Sequence, residues 1–309
     1  MKHVFLINPA AGKSDSTLTV AAGIRAVCVE RGLDYDILTT EHPRHAVELV
    51  KRKAVEYAGQ AIRFYACGGD GTLNEVAAGV AGFDNAAITV YSGGSGNDFA
   101  KIFDDPKAFF DLHRLMDADE VTFDLIKCND DYALNICSVG LDARIGTDVS
   151  HYKRLPLLHG FRAYAASTVV NVIRGIAEHY VVEVNGETIE GEMTFVCVCN
   201  GRYYGGGFNP IPEADPADGK LDILLVDKVS RAQVPVLIGK YKAGRYRELN
   251  HVARYIQAGS IKIICDKPTP INIDGELRTA EVVEMSVAKE KIRFFYPKGL
   301  SWQGQMQKV

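Results

Sequence analysis

Apolar residues follow two different rhythms along this chain, and the change comes after about residue 120. Before it, compact apolar runs at 3–7, 35–40, 63–67 and 87–91 alternate with stretches whose apolar side chains recur every three or four positions. Ala21, Ile24 and Cys28, then Val47, Val50, Ala54 and Tyr57, then residues 74–80 carry that second spacing, and Gly32 and Gly59 close the first two stretches. Short apolar runs predict buried strands, and three-to-four spacing predicts helices with one buried face. Alternation of the two predicts a parallel sheet with right-handed crossovers and helices on both faces.

Beyond residue 120 the runs shorten and lie closer together. Residues 123–128 lead through Asn129-Asp130-Asp131 into 132–137, the form of a hairpin. A helical interlude at 157–178 precedes Val181 to Val184, Asn185-Gly186 and a run from Thr188, and Asn-Gly between strands marks a tight hairpin. Further strands are predicted at 195–199, 221–226, 261–265, 271–273, 282–287 and 292–295. Many short strands with turn signals predict an antiparallel sandwich or barrel. The fold class is therefore α/β followed by all-β. The expected domains are 1–121, rejoined by the C-terminal segment 297–309, and 122–296.

Composition narrows the function classes. With 35 Lys and Arg against 39 Asp and Glu, net charge is −4, so no global basic field exists to hold nucleic acid. The opening Met1-Lys2-His3-Val4-Phe5-Leu6-Ile7-Asn8-Pro9 has too short an apolar stretch for a signal peptide. The apolar region around 164–182 is interrupted by Asn171, Arg174 and Glu178 and predicts no spanning helix. A cytoplasmic location follows as an expectation. Seven cysteines, mostly inside apolar runs, read as reduced core residues, and Cys197-Val198-Cys199 lacks the further ligands a structural zinc requires.

Two stretches carry chemistry: Cys67-Gly68-Gly69-Asp70-Gly71-Thr72-Leu73-Asn74-Glu75 and Gly93-Gly94-Ser95-Gly96-Asn97-Asp98. Each follows a predicted strand and opens a predicted helical run, the place where α/β folds bind phosphates. Gly-Gly-Asp-Gly alone fits a structural turn as well as a functional one. Asp70, Thr72 and Asn74, echoed by Ser95, Asn97 and Asp98, tip the balance, because acids beside a phosphate loop call for a cation such as Mg²⁺. Neither the Gly-x-x-x-x-Gly-Lys-[Ser/Thr] loop nor the dinucleotide glycine fingerprint is matched. The residues by themselves imply a phosphate-bearing ligand with a divalent cation.

These stretches, with Asn8-Pro9-Ala10-Ala11-Gly12-Lys13 and Gly94-Ser95-Gly96-Asn97-Asp98-Phe99-Ala100, resemble the catalytic domain of diacylglycerol kinases, a family that includes sphingosine and ceramide kinases and bacterial lipid kinases. Asn200-Gly201-Arg202-Tyr203-Tyr204-Gly205-Gly206-Gly207, Asp215, Asp218-Gly219-Lys220-Leu221-Asp222 and Ile273-Asp274-Gly275-Glu276 resemble its second domain. The resemblance implies a NAD-kinase-like α/β domain carrying a β-sandwich domain, with the active site between them. It implies an ATP site lined by Asn8, Pro9, Ala10, Ala11, Gly12, Lys13, Thr40, Gly68, Gly69, Asp70, Gly71, Thr72, Asn74, Glu75, Ser95 and Asn97. Asp70, Asp98 and Asp124 would surround a catalytic Mg²⁺, and Asp215, Asp218 and the Lys220 carbonyl a structural one. Asp274 would be the general base, with Glu276 beside it. By itself Asp274-Gly275 reads as a hairpin turn.

The implied activity is transfer of the ATP γ-phosphoryl group to a lipid hydroxyl, with diacylglycerol the foremost acceptor. A sphingoid base, phosphatidylglycerol, a NAD kinase activity and an inactive nucleotide-binding regulator stand as alternatives. The lipid partner implies work at the inner membrane surface without a spanning segment, and a homodimer is compatible with the chain. Two basic groups, His151 to Leu158 and Lys240, Lys242, Arg245, Arg247 and Arg254, read either as solvated faces or as a patch for anionic lipid.

Overall fold

The computed structural model describes residues 1–12, 15–92, 96–152 and 161–306. Its contacts divide the chain into two units, Met1–Leu125 with Lys289–Val309, and Ile126–Ala288. In the first, β1 (Lys2–Ile7), α1 (Thr17–Glu30), β2 (Asp34–Thr39), α2 (His45–Glu56), β3 (Ile62–Gly68), α3 (Asp70–Val80) and β4 (Ala86–Ser92) follow the alternation that the apolar rhythm predicts. β1 pairs in parallel with both β2 and β3, and β3 with β4. The chain thus steps outward from β1 to β2, then returns to β1's other side. The C-terminal ends of β1 and β3 form a topological switch point, where open α/β sheets bind their ligands. β1 is buried along its whole length, as a central strand covered on both faces must be.

The second glycine stretch leads into short 3-10 turns at Phe99–Ile102 and Pro106–Phe110 in place of the predicted helical run. After α4 (Leu112–Met116), β5 (Ala118–Phe123) lies at one edge of this sheet. The second unit begins with β6 (Ile126–Cys128) and β7 (Asp131–Ala133), joined as a hairpin, then β8 (Ile136–Gly140), α5 (Leu141–Tyr152) and α6 (Phe161–Arg174). It continues with β9 (Glu178–Val184), β10 (Glu187–Cys199), β11 (Leu221–Asp227), α7 (Val234–Lys242), β12 (Ala253–Ala258), β13 (Ser260–Ile273) and β14 (Glu276–Val287). The chain then returns to the first unit as β15 (Ile292–Pro297) and α8 (Gln303–Met306). β15 sits between β4, to which it is parallel, and β5, to which it is antiparallel.

Pairing in the second unit explains where its helices leave the sheet. β8 pairs with the last part of β10 and β9 with the first part, while β13 pairs with β9 through residues 261–265 and with β8 through 271–273. β8 and β9 therefore lie end to end, as one interrupted strand between β10 and β13. The interruption is the insertion that carries α5 and α6. Gly140, at the exit, has φ +96°, and a Cβ there would meet the Thr194 carbonyl oxygen at 2.8 Å, so only glycine fits. One side of the sheet buries Val182, Val196, Val198, Ile263 and Ile273. The other buries Cys197, Cys199, Leu224 and Val226 with Ile145 of α5 and Leu237 of α7.

Three further expectations change. Residues 292–295 belong with the first unit's sheet, because the apolar Phe294-Phe295 run suits any buried strand and only tertiary pairing selects its neighbours. Residues 123–125 stand outside the predicted hairpin, since β5 ends at Phe123 opposite Ile292. The helical interlude begins much earlier, at Leu141, and Glu178 starts a strand rather than ending a helix. All seven cysteines are free and buried, in line with the reading as core residues.

Close packing of α3 on α2 supplies a test of sign. A Cβ at Gly79 would lie 2.8 Å from Val50 and 3.3 Å from the Val47 Cα, whereas one at Gly23 in α1 would meet nothing within 4 Å. Gly23→Ala is expected to raise stability by about 0.5–1 kcal/mol, and Gly79→Ala to lower it by about 1–3 kcal/mol. Urea denaturation midpoints of the two variants check this, and equal signs would refute the packing account.

Candidate active site

The first unit's rim is built by residues that staple the loops after β1 and β3 together. β3 runs out at Gly68, where a Cβ would lie 2.3 Å from Thr72 Oγ1, so glycine lets the threonine hydroxyl fold back against the strand end. Asn8 Nδ2 donates to that hydroxyl at 3.0 Å, and Asn8 Oδ1 accepts from the Ala10 amide at 3.0 Å. Asn8, Pro9, Ala10, Ala11, Gly12, Gly69, Gly71 and Thr72 thereby come together at the switch point. Thr40, whose amide donates to the Ile7 carbonyl at 2.9 Å, closes the rim beside β2. Lys13 and Ser95, with Gly93 and Gly94, lie outside the described residues.

Asp70 opens α3 and reaches across to the second glycine stretch. Its Oδ1 accepts from the backbone N–H of Asp98 at 2.6 Å and of Phe99 at 3.3 Å. A Cβ on Gly96 would lie 2.7 Å from Asp70 Oδ2, so this glycine is required by a close approach. Burial first, and then the charge of Asp98, push the Asp70 carboxyl above the usual carboxylate range, against the two N–H groups that favour its anion. Asp98 is buried and ion-paired with Lys101. The amide oxygens Asn74 Oδ1 and Asn97 Oδ1 are buried without a hydrogen-bond partner among the described residues. The two crowded acids offer oxygen donors of the hard kind that suits Mg²⁺.

Two other predicted members are held by partners of their own. Both oxygens of Glu75 turn to the start of α2, accepting from the amides of Arg44 at 2.9 Å and Ala46 at 3.2 Å, which makes Glu75 a helix cap. Asp124, 1% exposed, accepts from Lys291 at 2.6 Å. Its stretch adjoins that of Asp98 through the edge-to-face rings of Phe99 and Phe123, 5.5 Å apart.

In the second unit, Asp274 and Gly275 form the two-residue turn between β13 and β14, with φ of 48° and 92°. The Asp274 carboxylate is clasped by three consecutive amides: Leu134 at 2.5 Å, Asn135 at 2.9 Å and Ile136 at 2.8 Å. The same loop is held from behind by Asn200, whose Nδ2 donates to the Leu134 carbonyl at 2.8 Å and whose amide donates to the Asn135 carbonyl at 2.8 Å. A Cβ on Gly201 would lie 2.3 Å from Asn135 Oδ1, which explains the glycine after Asn200. Glu276 is half-buried on β14 beside Arg278.

Asp215 and Asp218 sit in the loop before β11, their oxygens accepting from the amides of Ala217 at 3.0 Å and Lys220 at 2.9 Å. Burial, with the nearby charges of Asp222 and Asp215, raises the Asp218 carboxyl although the Lys220 N–H opposes it. Asp222, 1% exposed, is raised chiefly by burial, and its Oδ2 has no partner among the described residues. The motif predicts Asp215, Asp218 and Lys220, but not Asp222, which strand alternation turns to the same cluster. Asp142 was also missed. It takes hydrogen bonds from Ser138 Oγ at 2.6 Å and Tyr204 Oη at 2.8 Å, a link from the start of α5 to the Tyr203-Tyr204-Gly205 loop that has no local sequence signal.

The second basic group is mostly neutralised. Lys240 and Arg245 meet Glu248, Arg247 meets Glu213 and Arg254 meets Asp227. Residues 153–158 of the first basic group lie outside the described residues. Among the described residues, no helix is long and apolar enough to cross a membrane.

The family profile of the diacylglycerol kinase catalytic domain matches residues 2–128, and that of the YegS C-terminal NAD kinase beta sandwich-like domain matches residues 135–296. A protein of Staphylococcus carnosus (strain TM300), provisionally named a lipid kinase, is 28% identical over 235 residues, 75% of this chain and 76% of its own length. Its namesake from Staphylococcus aureus (strain MRSA252) is 27% identical over 243 residues, 78% of this chain and 79% of its own. The crystal structure of a provisionally named diacylglycerol kinase from Bacillus anthracis str. Sterne superimposes with a TM-score of 0.71 at 23% identity, covering 96% of this chain and 97% of that one. That likeness establishes the shared fold.

Asp70→Asn tests the electrostatics of the rim. The variant keeps an acceptor for the Asp98 and Phe99 amides but removes the charge that burial and Asp98 disfavour. A carboxyl raised by folding destabilises the fold at pH values above its folded pKa, and this cost vanishes as pH falls toward the unfolded value of 3.8. Without divalent cations the variant is expected to melt about 2 °C above the parent at pH 7, the difference shrinking with acidification. A lower melting temperature at pH 7 would contradict the assignment.

Proposed function

The chain belongs to the family that joins a diacylglycerol kinase catalytic domain to a YegS C-terminal NAD kinase beta sandwich-like domain, and we propose that it is an ATP-dependent lipid kinase. Its proposed reaction transfers the γ-phosphoryl group to a lipid hydroxyl, with diacylglycerol the acceptor and phosphatidic acid the product. The observation that carries this reading is the Asp70–Asp98 junction, two acids at glycine-rich turns on the switch-point rim. Phosphoryl transfer asks mainly for positioning and charge neutralisation, which such a rim would supply through glycine-rich loops and the cation its acids hold.

In this reading the stapled loops of Asn8 to Gly12 and Gly68 to Thr72, with Thr40, hold the nucleotide, and backbone N–H groups freed of Cβ obstruction face its phosphates. Lys13 and Ser95 are included on sequence grounds alone. Asp70 and Asp98, with the buried oxygens of Asn74 and Asn97, would hold Mg²⁺, which when bound neutralises phosphate charge. Asp124 and Glu75 act behind this layer, one fixed by Lys291 and the other fixing α2. Asp215, Asp218 and Asp222, with the Lys220 carbonyl, form the candidate structural cation site.

Asp274 is proposed as the base that accepts the proton of the acceptor hydroxyl, with Glu276 beside it. The three amides fix its orientation and also give it a structural part, so the test must separate the two. Asp274→Asn removes charge from acceptor oxygens that bind three N–H groups, and is expected to lower stability by about 1–3 kcal/mol. In protein verified as folded by circular dichroism, turnover is expected to fall by about two orders of magnitude or more. Activity lost only in proportion to the unfolded fraction would remove Asp274 from the chemistry.

The acceptor is tested by incubating the protein with labelled ATP and a total lipid extract, followed by thin-layer separation. Label in phosphatidic acid supports the reading, and label in another phospholipid redirects it. Label transferred to NAD⁺ alone would overturn it in favour of a NAD kinase. A location at the inner membrane surface follows from the lipid acceptor and forms part of the same proposal.

A further inference from the structure

Between β2 and α2 lies a group of side chains that the kinase reading does not use. His42, His45 and Glu48 each offer a ligating atom, and the three atoms lie within 4.8 Å of one another. The two imidazole rings stack, with centroids 4.5 Å apart and planes 15° from parallel. His45 and Glu48 share one face of α2's first turn, three residues apart, and His42 approaches from the preceding loop. Two imidazoles and a carboxylate form a donor set of borderline-soft character, which selects zinc and its neighbours over Mg²⁺.

The backbone is prepared for such an ion. Glu75 accepts from the amides of Arg44 at 2.9 Å and Ala46 at 3.2 Å, so the turn between the two histidines is anchored to α3. Ala46 and Val47 are buried, while His42 and Glu48 are exposed and free to adjust. His42 Nδ1 lies 3.0 Å from the Pro43 carbonyl, an arrangement that protonates Nδ1 and leaves Nε2 with its lone pair for a metal. His45 Nδ1 accepts from the Glu41 amide at 3.0 Å. Whichever nitrogen of His45 takes an ion, that amide passes to water, at little loss because Glu41 is exposed. Zinc donors at about 2.1 Å in tetrahedral geometry stand about 3.4 Å apart, a closure within reach of side-chain rotation.

We propose that His42, His45 and Glu48 form a binding site for one zinc-class divalent cation, with the remaining coordination position open to water. The ion would tie the loop after β2 to the first turn of α2. The site is independent of the kinase reading, since its ligands and its preferred cation differ from those of Asp70 and Asp98.

The test is calorimetric titration of the metal-free protein with Zn²⁺ in the presence of excess Mg²⁺, which occupies all-oxygen sites. One equivalent is expected to bind and to raise the melting temperature by mass action. His42→Ala and Glu48→Gln should each weaken binding at least about tenfold, and the double variant should abolish both binding and stabilisation. Both side chains are exposed, and unchanged circular dichroism melting of the metal-free variants verifies folding, with His42→Gln as the bulk-preserving alternative. Co²⁺ in place of Zn²⁺ should give the weak visible bands of nitrogen and oxygen ligands. No saturable binding by the parent, equal binding by the double variant, or the intense near-ultraviolet band of thiolate ligation would each overturn the proposal.

Discussion

A carboxylate taken out of water must find donors, and this chain supplies them from the backbone of a neighbouring loop. Asp70 takes the amides of Asp98 and Phe99, Glu75 those of Arg44 and Ala46, and Asp274 those of Leu134, Asn135 and Ile136. Each bond to an ionised acceptor is stronger than one between neutral groups, and each leaves a costly orphan if broken. The acids of the motifs therefore organise loops before they do any chemistry. In the first unit they lock the second glycine stretch and α2 onto α3. In the second they lock a hairpin tip onto the loop before β8.

The glycines answer to the same constraint. Gly68, Gly96 and Gly201 face Thr72, Asp70 and Asn135 at distances a Cβ could not share, so their role is close approach. A phosphate loop explains glycine by the ligand's need for open backbone. Here part of the explanation is internal, since the polar side chains that shape the rim occupy the volume a methyl would fill. A ligand then meets surfaces already set in position, which lowers the ordering cost of binding.

Legibility varied with how local the cause was. The alternation of four strands with three helices and the Asn185-Gly186 turn were readable because their determinants lie within a few residues. Asp70 and Asp98 were readable as partners because two glycine motifs of like character end neighbouring strands. Glu75 was not separable from them, since nothing in Asn74-Glu75 distinguishes a ligand from a cap whose amides lie about thirty residues away. Asp142 and Asp222 were invisible as members of polar clusters for the same reason: Tyr204, Tyr255 and Gln257 reach them across tens of residues. The Asp274 turn was legible as a hairpin, but its clasp by a loop about 140 residues earlier was not.

By itself the sequence determined the kinds of elements, their order and the chemical character of the rim, because periodicity, turn residues and glycine-acid motifs act over short range. Tertiary structure alone decided which strands pair, and so returned β15 to the first sheet and laid β8 and β9 end to end around the helical insertion. It also decided which motif acids bind amides and which keep unmet neighbours. Both decisions rest on pairing between groups far apart in the chain, where burial and hydrogen-bond satisfaction, rather than local propensity, select the partner.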